Sequence, residues 1–175
     1  MTQMSIPDQK QTFTDFSKIQ TELKKRGIYL DRWAADQAVS ADASQDEILT
    51  AYSSRLEPFM KAGGYQSADV ISVNPETQGI HEIRQKFLSE HTHSEDEIRF
   101  FIEGQGLFWF NVDGEVLCIL CTAGDLISVP ANTKHWFDLG PTPYVKAIRI
   151  FTNPEGWVAR YTGSGIDENY NPKYS

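Results

Sequence analysis

Two histidines and a glutamate lie within seven residues of one another, at His91, His93 and Glu97. On a β-strand alternate residues share a face, so the two imidazoles can meet at one ion. Glu97 would lie about 13 Å beyond His93 on a straight strand, so the chain must turn to bring the carboxylate back. Two imidazoles and one carboxylate are the ligands of non-haem iron oxygenases, which keep positions open for substrate and oxygen. His135 is available as a fourth ligand.

Histidine is scarce in this chain, which makes its clustering informative. Three of the four histidines fall in the half that is rich in predicted strands, whereas His81 falls among charged residues of a predicted helix. We therefore interpret His81 as a solvated bystander. Two arginines add to the chemistry, because Arg99 has the strand parity of Glu97 and Arg149 lies in an otherwise apolar strand. Arginine is rarely buried unless it is paired, so both positions require a partner.

A further spacing with chemical potential is the Cys118-x-x-Cys121 pair. Such pairs occur in redox sites and as half of a zinc site. This pair, however, lies in an apolar run that predicts a strand, and residues three apart on a strand point to opposite faces. We therefore interpret both as ordinary strand cysteines, a residue type that is commonly buried.

Helices are predicted in the first half of the chain. Residues 15–26 carry apolar side chains at helical spacing, and a second helix begins at Ser44 with a capping box and ends at glycines 63–64. Asn74 followed by Pro75 predicts an N-cap and the first residue of a third helix.

From residue 90 onward the hydrophobic period changes from helical to alternating. Asp113-Gly114 is a strong two-residue hairpin signal, and glycines predict further turns at 104–106 and 123–125. Short strands at this spacing predict a small antiparallel barrel or sandwich with Greek-key or jelly-roll connections. The predicted strands cover residues 98–102, 107–112, 116–121, 126–129, 135–138 and 145–151, after an earlier strand near 70–73.

The composition limits the classes of partner. The chain has 175 residues, 40% of them hydrophobic, which suits one domain with a buried core. Its net charge of −8 repels phosphate backbones and anionic lipids, which argues against nucleic-acid and membrane partners. The polar start of the chain lacks a signal-peptide pattern, and no apolar run could span a bilayer, so we expect a cytoplasmic protein. No heptad pattern demands a partner, and we expect a monomer.

The spacing of the site resembles the motifs of the cupin superfamily. Residues 91–104 resemble its first motif and residues 124–135 its second, with Asn132 in place of a glycine. Beyond His135, Leu139 stands where the general pattern has an asparagine. Longer stretches are similar to one branch, the acireductone dioxygenase family, and this similarity covers most of residues 13–160. It is carried by KFLSEHTHSEDEIRF from Lys86, GDLISVP from Gly124, KHWF from Lys134 and KAIRIF from Lys146.

The resemblance implies a mostly β fold, a cupin-type antiparallel barrel (jelly roll) with N-terminal helices packed outside it. It implies a single cupin domain over residues 1–175, with a helix-rich part at 13–88, a metal-binding barrel at about 68–155 and an irregular tail at 163–175. It further implies one Fe(II) or Ni(II) ion per chain, held by His91, His93, Glu97 and His135.

The family's substrates are O2 and the acireductone 1,2-dihydroxy-5-(methylthio)pent-1-en-3-one. The iron form yields formate and 4-methylthio-2-oxobutanoate, the precursor of methionine in the salvage pathway. The nickel form yields formate, carbon monoxide and 3-methylthiopropanoate. By this resemblance Arg99 promotes formation of the substrate dianion, and Arg149 provides a second positive charge for it.

Other residues receive roles only through the resemblance. Glu90 matches a position linked to metal incorporation and Asp96 one linked to relaying local structural change, although solvated acids would explain both equally well. Phe100, Phe137 and Trp157 are candidates to line a wall for the methylthio tail, with Phe137 and Trp157 preferred. Ordinary core packing would also account for these aromatic residues.

Two other functions remain open from the residues. Another cupin metalloenzyme, such as a different dioxygenase or a sugar-phosphate isomerase, would use the same four ligands. A metal-responsive or sugar-binding cupin would hold the metal without catalysis. An isomerase of phosphosugars would need a basic phosphate cradle, and a non-catalytic protein gives no role to Arg99 and Arg149. We therefore expect a metal-dependent dioxygenase.

Overall fold

The fold is given by a computed structural model, which describes residues 1–153 and 158–170. None of the helices in these two ranges is long and apolar enough to cross a membrane. The helices are α1 (Phe16–Lys25), α2 (Gln45–Ala51), α3 (Ser53–Gly63) and α4 (Ile80–Leu88). The strands are β1 (Gln3–Ile6), β2 (Gln11–Phe13), β3 (Tyr29–Arg32), β4 (Ser67–Val73), β5 (His91–Thr92), β6 (Glu97–Val112), β7 (Glu115–Thr122), β8 (Asp125–Val129), β9 (Lys134–Asp138), β10 (Val145–Phe151) and β11 (Arg160–Tyr161).

Two antiparallel sheets share the long strand β6. The first half of β6 pairs with β8 and β10, and the sheet continues to β3 and β4. The second half pairs with β7 and β9, and that sheet continues to β1 and β2 on one side and to β5 and β11 on the other. The predicted mostly β fold with helices against it is thereby confirmed.

The predicted turn at 104–106 is wrong, because β6 runs through it as one bent strand. An irregularity in the pairing of β6 with β10 lies just before Gly104. Gly104 has φ of +73°, and a Cβ there would lie 1.9 Å from the carbonyl oxygen of Tyr144. This irregularity gives β6 one residue more than β10 and thereby reverses which side chains of β6 face inward. As a result Phe101 and Phe108, seven residues apart, both lie in the main core. This bend lets one strand serve two sheets.

The N-terminal segment contributes strands that the sequence did not predict. β1 pairs with β2 and β7, and β3 pairs with β8, so both sheets are extended by this part of the chain. These strands have only three or four residues each, too few to show an alternating pattern.

The sequence predicts three helices, and the described residues form four α-helices whose bounds differ in part from the prediction. α1 is capped by Asp15, and α2 has the predicted capping box between Ser44 and Glu47. The second predicted helix is divided at Tyr52 into α2 and α3. The predicted start at Asn74 is wrong, because the Asn74 side chain accepts a hydrogen bond from the Glu76 amide in a turn, and α4 begins at Ile80.

Apolar layers fill the space between the sheets and cover their outer faces. The main core lies between the sheets and includes Phe101, Phe108 and Ile127. α2 and α3 cover the outer face of the β10–β6–β8 sheet, where Tyr52 contacts Phe100. The cysteine interpretation is confirmed: neither forms a disulfide in the described part of the chain, Cys121 is buried in the main core and Cys118 is partly exposed on the opposite face.

Candidate metal centre

Strand pairing brings the histidines together. His91 of β5 is the direct cross-strand partner of His135 of β9. His93 follows two residues later and projects to the same side. The predicted turn between His93 and Glu97 is present, and Glu97 is the first residue of β6. Three strands, together with the turn that follows β5, therefore position the four candidate ligand side chains.

A backbone carbonyl orients each imidazole. The Nδ1 atom of His91 lies 2.7 Å from the oxygen of Ser89, that of His135 lies 2.8 Å from Thr133, and that of His93 lies 3.3 Å from Val158. A carbonyl only accepts hydrogen bonds, so Nδ1 must carry the proton in each ring. In the neutral rings Nε2 is then a lone-pair donor, as metal ligation requires.

The cluster is compact and buried. Neighbouring ring centroids are 4.5 to 5.0 Å apart, and one ligating nitrogen from each of His91, His93 and His135 lies within 4.8 Å of the others. Oε2 of Glu97 lies 2.7 Å from Nε2 of His135 and 3.2 Å from Nε2 of His93. All four side chains are at least nine-tenths buried. The residues fit a metal ion, because lone pairs converge there and a cation satisfies them together.

The electrostatics of the cluster favour ligand-competent forms. Burial, reinforced by the neighbouring His135, lowers the pKa of His91 to about 4. Burial acts to raise the pKa of Glu97, but His135 and Arg99 outweigh it and hold that pKa well below its ordinary value. His91 is therefore neutral and Glu97 ionised near neutral pH, which are the forms that bind metal ions.

Arg99 lies inside the barrel beside the cluster, as its parity predicted. Its Nη2 donates to Oε1 of Glu97 at 2.9 Å, and its guanidinium lies 4.7 Å from the ring centre of Phe137. Burial lowers the pKa of Arg99, although Glu97 opposes that shift. Arg149 is the cross-strand partner of Arg99 and binds Asp69, a residue that the sequence analysis missed.

A cavity of about 380 Å³ opens onto the histidine cluster. The sequence analysis did not identify several of its walls, which are formed by the end of α4 and by residues 158–161, because the sequence there does not show which side chains face the site. The cavity is lined by Lys86, Phe87, His91, His93, Glu97, Arg99, His135, Phe137, Arg149, Val158, Ala159 and Tyr161.

The other candidate residues have different placements. Phe137 lines the cavity as predicted, whereas Phe100 lies on the outer face against Trp33 and Tyr52. The assignment of Phe100 to the tail pocket is therefore wrong, because its parity on β6 is opposite to that of Arg99. Trp157 lies outside the described residues. His81 is exposed on α4, in agreement with its interpretation as a bystander.

Neither Glu90 nor Asp96 is among the cavity-lining residues in the described part of the chain. Glu90 is buried on the other side of β5, where its carboxylate accepts hydrogen bonds from Asn111, Thr162 and Ser164. Asp96 accepts from the amide of Ala131, so it joins the turn after His93 to the loop before β9. Neither Glu90 nor Asp96 is therefore simply a solvated surface acid, because each carboxylate accepts hydrogen bonds from the protein.

Comparisons with known proteins agree with this geometry. The sequence matches the profile of the ARD/ARD′ family over residues 1–159. The acireductone dioxygenase of Picosynechococcus sp. is 53% identical over 171 residues, which make up 97% of this chain and 97% of that protein. The acireductone dioxygenase of Alcanivorax borkumensis is 50% identical over 162 residues, covering 93% of this chain and 90% of that protein.

A solved structure extends the likeness to three dimensions. It is the acireductone dioxygenase from Bacillus anthracis with a cadmium ion in its active centre. The two folds match with a TM-score of 0.85 at 32% identity, over 92% of this chain and 98% of that one. This match confirms the cupin-type fold class, and that protein holds a metal ion in its active centre.

Proposed function

The chain belongs to the ARD/ARD′ family, and from that membership we propose that it is an acireductone dioxygenase dependent on Fe(II) or Ni(II). Its substrates are 1,2-dihydroxy-5-(methylthio)pent-1-en-3-one and O2. The products are formate and 4-methylthio-2-oxobutanoate with iron, or formate, carbon monoxide and 3-methylthiopropanoate with nickel. One observation supports this proposal most directly: three histidines and a glutamate converge at a cavity that also holds two arginines.

His91, His93, Glu97 and His135 would hold the metal. Three imidazole nitrogens and one carboxylate oxygen suit both Fe(II) and Ni(II), whereas neither Cys118 nor Cys121 lines the cavity in the described part of the chain. A divalent ion bound there would supply Lewis-acid activation of the enediol. Glu97 has a second role, because its other oxygen holds the guanidinium of Arg99 at the same centre.

The arginines suit an anionic substrate. Arg99 is 2% exposed and faces the cavity, so its charge acts in a poorly hydrated environment, where it stabilises a developing enediolate more strongly than in water. Arg149 supplies a second positive charge to the same cavity. Together they favour loss of the substrate's second proton, which is the role the resemblance gives to Arg99.

The apolar walls suit the methylthio tail. Phe87 and Phe137 line the cavity, so an apolar substituent can be buried against them while the enediol faces the polar cluster. Val158 and Tyr161 also line the cavity.

Glu90 and Asp96 act as positioning residues in this proposal. Glu90 fastens residues 162–164 beside β5, which carries His91. Asp96 joins the turn between β5 and β6 to Ala131, and the amide of Asn132 donates to the carbonyl of His93. These contacts hold the segments that carry the proposed metal ligands, and through them Glu90 and Asp96 would influence metal binding without ligating the ion.

The decisive experiment is anaerobic reconstitution. The protein freed of metal is loaded with Fe(II) or Ni(II), acireductone and O2 are added, and formate and carbon monoxide are measured. We expect formate from both forms and carbon monoxide from the nickel form only. His81→Ala is the matched control, because it removes a histidine that does not line the cavity. Absence of formate with either metal would overturn the proposal.

A further inference from the structure

A row of charged side chains crosses three neighbouring strands. Asp69 of β4 is the register partner of Arg149 of β10, and Arg149 is the register partner of Arg99 of β6. Directly opposed residues in antiparallel strands share a face, so the three side chains lie side by side. Glu97 lies two residues before Arg99, and its carboxylate accepts a hydrogen bond from the Arg99 guanidinium. Each arginine therefore contacts a carboxylate, Arg99 that of Glu97 and Arg149 that of Asp69.

The contact between Asp69 and Arg149 uses two hydrogen bonds. Nε of Arg149 donates to Oδ1 of Asp69 at 2.7 Å, and Nη2 donates to Oδ2 at 2.5 Å. Such a bidentate pair fixes the plane of the guanidinium as well as its position. In the described part of the chain, Arg149 lines the cavity and Asp69 does not. Asp69 thus holds Arg149 from outside the cavity.

The pair opposes a repulsion built into the sheet. Arg99 and Arg149 carry like charges at directly opposed positions, an arrangement that is unfavourable by itself. The Arg149 side chain is 25% exposed, so a long flexible arginine has an accessible route into solvent. Without the carboxylate of Asp69, repulsion and hydration would both draw the guanidinium away from the cavity.

We propose that Asp69 is a positioning residue for substrate binding, which holds the Arg149 guanidinium at the cavity wall beside Arg99. This inference rests on the proposed function in that the ligand is an enediolate dianion. Asp69 also cancels one of the two arginine charges. A divalent ion and the two arginines, offset by the carboxylates of Glu97 and Asp69, then carry a net positive charge of two, which a dianion balances.

The first test is a split between the kinetic constants of Asp69→Asn. Arg149 would contact the dianion before and during reaction, so its misplacement weakens both states equally. We expect KM for acireductone to rise about tenfold, as for loss of one charged hydrogen-bonded contact, with kcat changed less than about twofold. Asp69→Glu keeps the ion pair, and its KM should stay within about threefold of wild type. A tenfold rise in that variant would overturn the proposal.

A double variant separates positioning from a general structural effect. If Asp69 acts through Arg149, Asp69→Asn should change KM no further when Arg149→Gln is already present. Additive effects would overturn the proposal. Glu115→Gln is the matched control, since it breaks another arginine–carboxylate pair of similar exposure, Arg26 with Glu115, whose members do not line the cavity. Its KM should equal that of wild type.

Binding of an inert dianion distinguishes this inference from the proposed function. The dissociation constant of oxalate is measured by calorimetry on the nickel-loaded protein without O2, and we expect Asp69→Asn to weaken binding about tenfold. If wild type does not turn over acireductone but oxalate binding falls as expected, the proposed function fails and the role of Asp69 stands. If wild type is active while both KM and oxalate binding are unchanged in Asp69→Asn, the role of Asp69 is refuted.

Discussion

Two buried polar clusters lie on opposite sides of β5, one around His91 and the other around its neighbour Glu90. On the His91 side, nitrogens from three histidines and an oxygen of Glu97 approach one another. On the Glu90 side, the carboxylate receives hydrogen bonds from Asn111 at 2.9 Å, Thr162 at 2.7 Å and Ser164 at 2.8 Å. Both clusters are buried, but they differ in whether protein hydrogen-bond donors satisfy their acceptor atoms.

That difference separates a metal centre from a structural network. Around Glu90, the acceptor oxygens face protein donors, so the protein itself satisfies them. Around His91, the Nδ1–H groups donate to backbone carbonyls, so the neutral rings and the Glu97 carboxylate present lone pairs to one another. A positive ion is the partner that such a set requires. Glu90 and His91 are thus equally buried neighbours, yet one belongs to a hydrogen-bond network and the other to a cluster that can bind a metal ion.

The largest effect should come from removing a ligand of the first cluster. His135→Ala deletes an imidazole that faces both His91 and Glu97, and we expect metal content to fall from one ion per chain to nearly none, with turnover lost. Elemental analysis and formate release measure this. His81→Ala should retain metal and activity, and full metal content in His135→Ala would contradict the assignment.

Glu97→Gln tests the charge of the same cluster while keeping its shape. It removes one ligand charge and leaves the buried Arg99 without its carboxylate, so we expect metal affinity to fall about 100-fold and stability to fall by about 3 kcal/mol. Metal titration and urea unfolding measure the two losses. Unchanged metal affinity would show that Glu97 is not a ligand.

Glu90→Gln makes the same chemical change in the second cluster and should give the opposite pattern. The amide nitrogen cannot accept the hydrogen bonds that the carboxylate accepts, so we expect a loss of about 2 kcal/mol in the free energy of unfolding. Metal affinity should change far less than in Glu97→Gln. Equal losses of metal affinity in the two variants would erase the distinction between the clusters.

The stability contributed by Glu90 should depend on pH. Burial acts to raise the pKa of Glu90, but hydrogen bonds from Thr162, Asn111 and Ser164 outweigh it and lower that pKa. A lowered carboxyl pKa stabilises the fold above the unfolded value of about 4.3, and this contribution is lost as pH falls through the folded pKa. The stability difference between wild type and Glu90→Gln should therefore shrink on acidification, as measured by urea unfolding. A constant difference would contradict this.

Ser164→Ala should produce the smallest effect. It removes one of the donors to Glu90 and leaves Asn111 and Thr162 in place, so we expect a loss of about 1 kcal/mol with metal content unchanged. Urea unfolding of the metal-loaded protein measures it. A loss as large as that of Glu90→Gln would mean that Ser164 alone holds the network.

Sequence reasoning succeeded where the signal is local. The alternation of His91 and His93, the polar turn before Glu97 and the hairpin at Asp113-Gly114 follow from nearest neighbours along the chain, and all are found in the structure. Sequence reasoning failed where a contact between residues far apart in the chain determines the local backbone, as in the predicted turn at 104–106. Gly104 permits a bend because Tyr144 approaches it, and that approach leaves no trace in the residues around Gly104.

The sequence by itself determined the types and order of the metal-site side chains, because a two-residue period fixes which neighbours share a face. Only the tertiary structure decided which partner each charged group has. Glu90 accepts hydrogen bonds from Thr162 and Ser164, and Arg149 donates to Asp69, because segments far apart in the chain lie next to each other in the fold. Such pairings depend on sheet register, which the residues at either end do not encode alone.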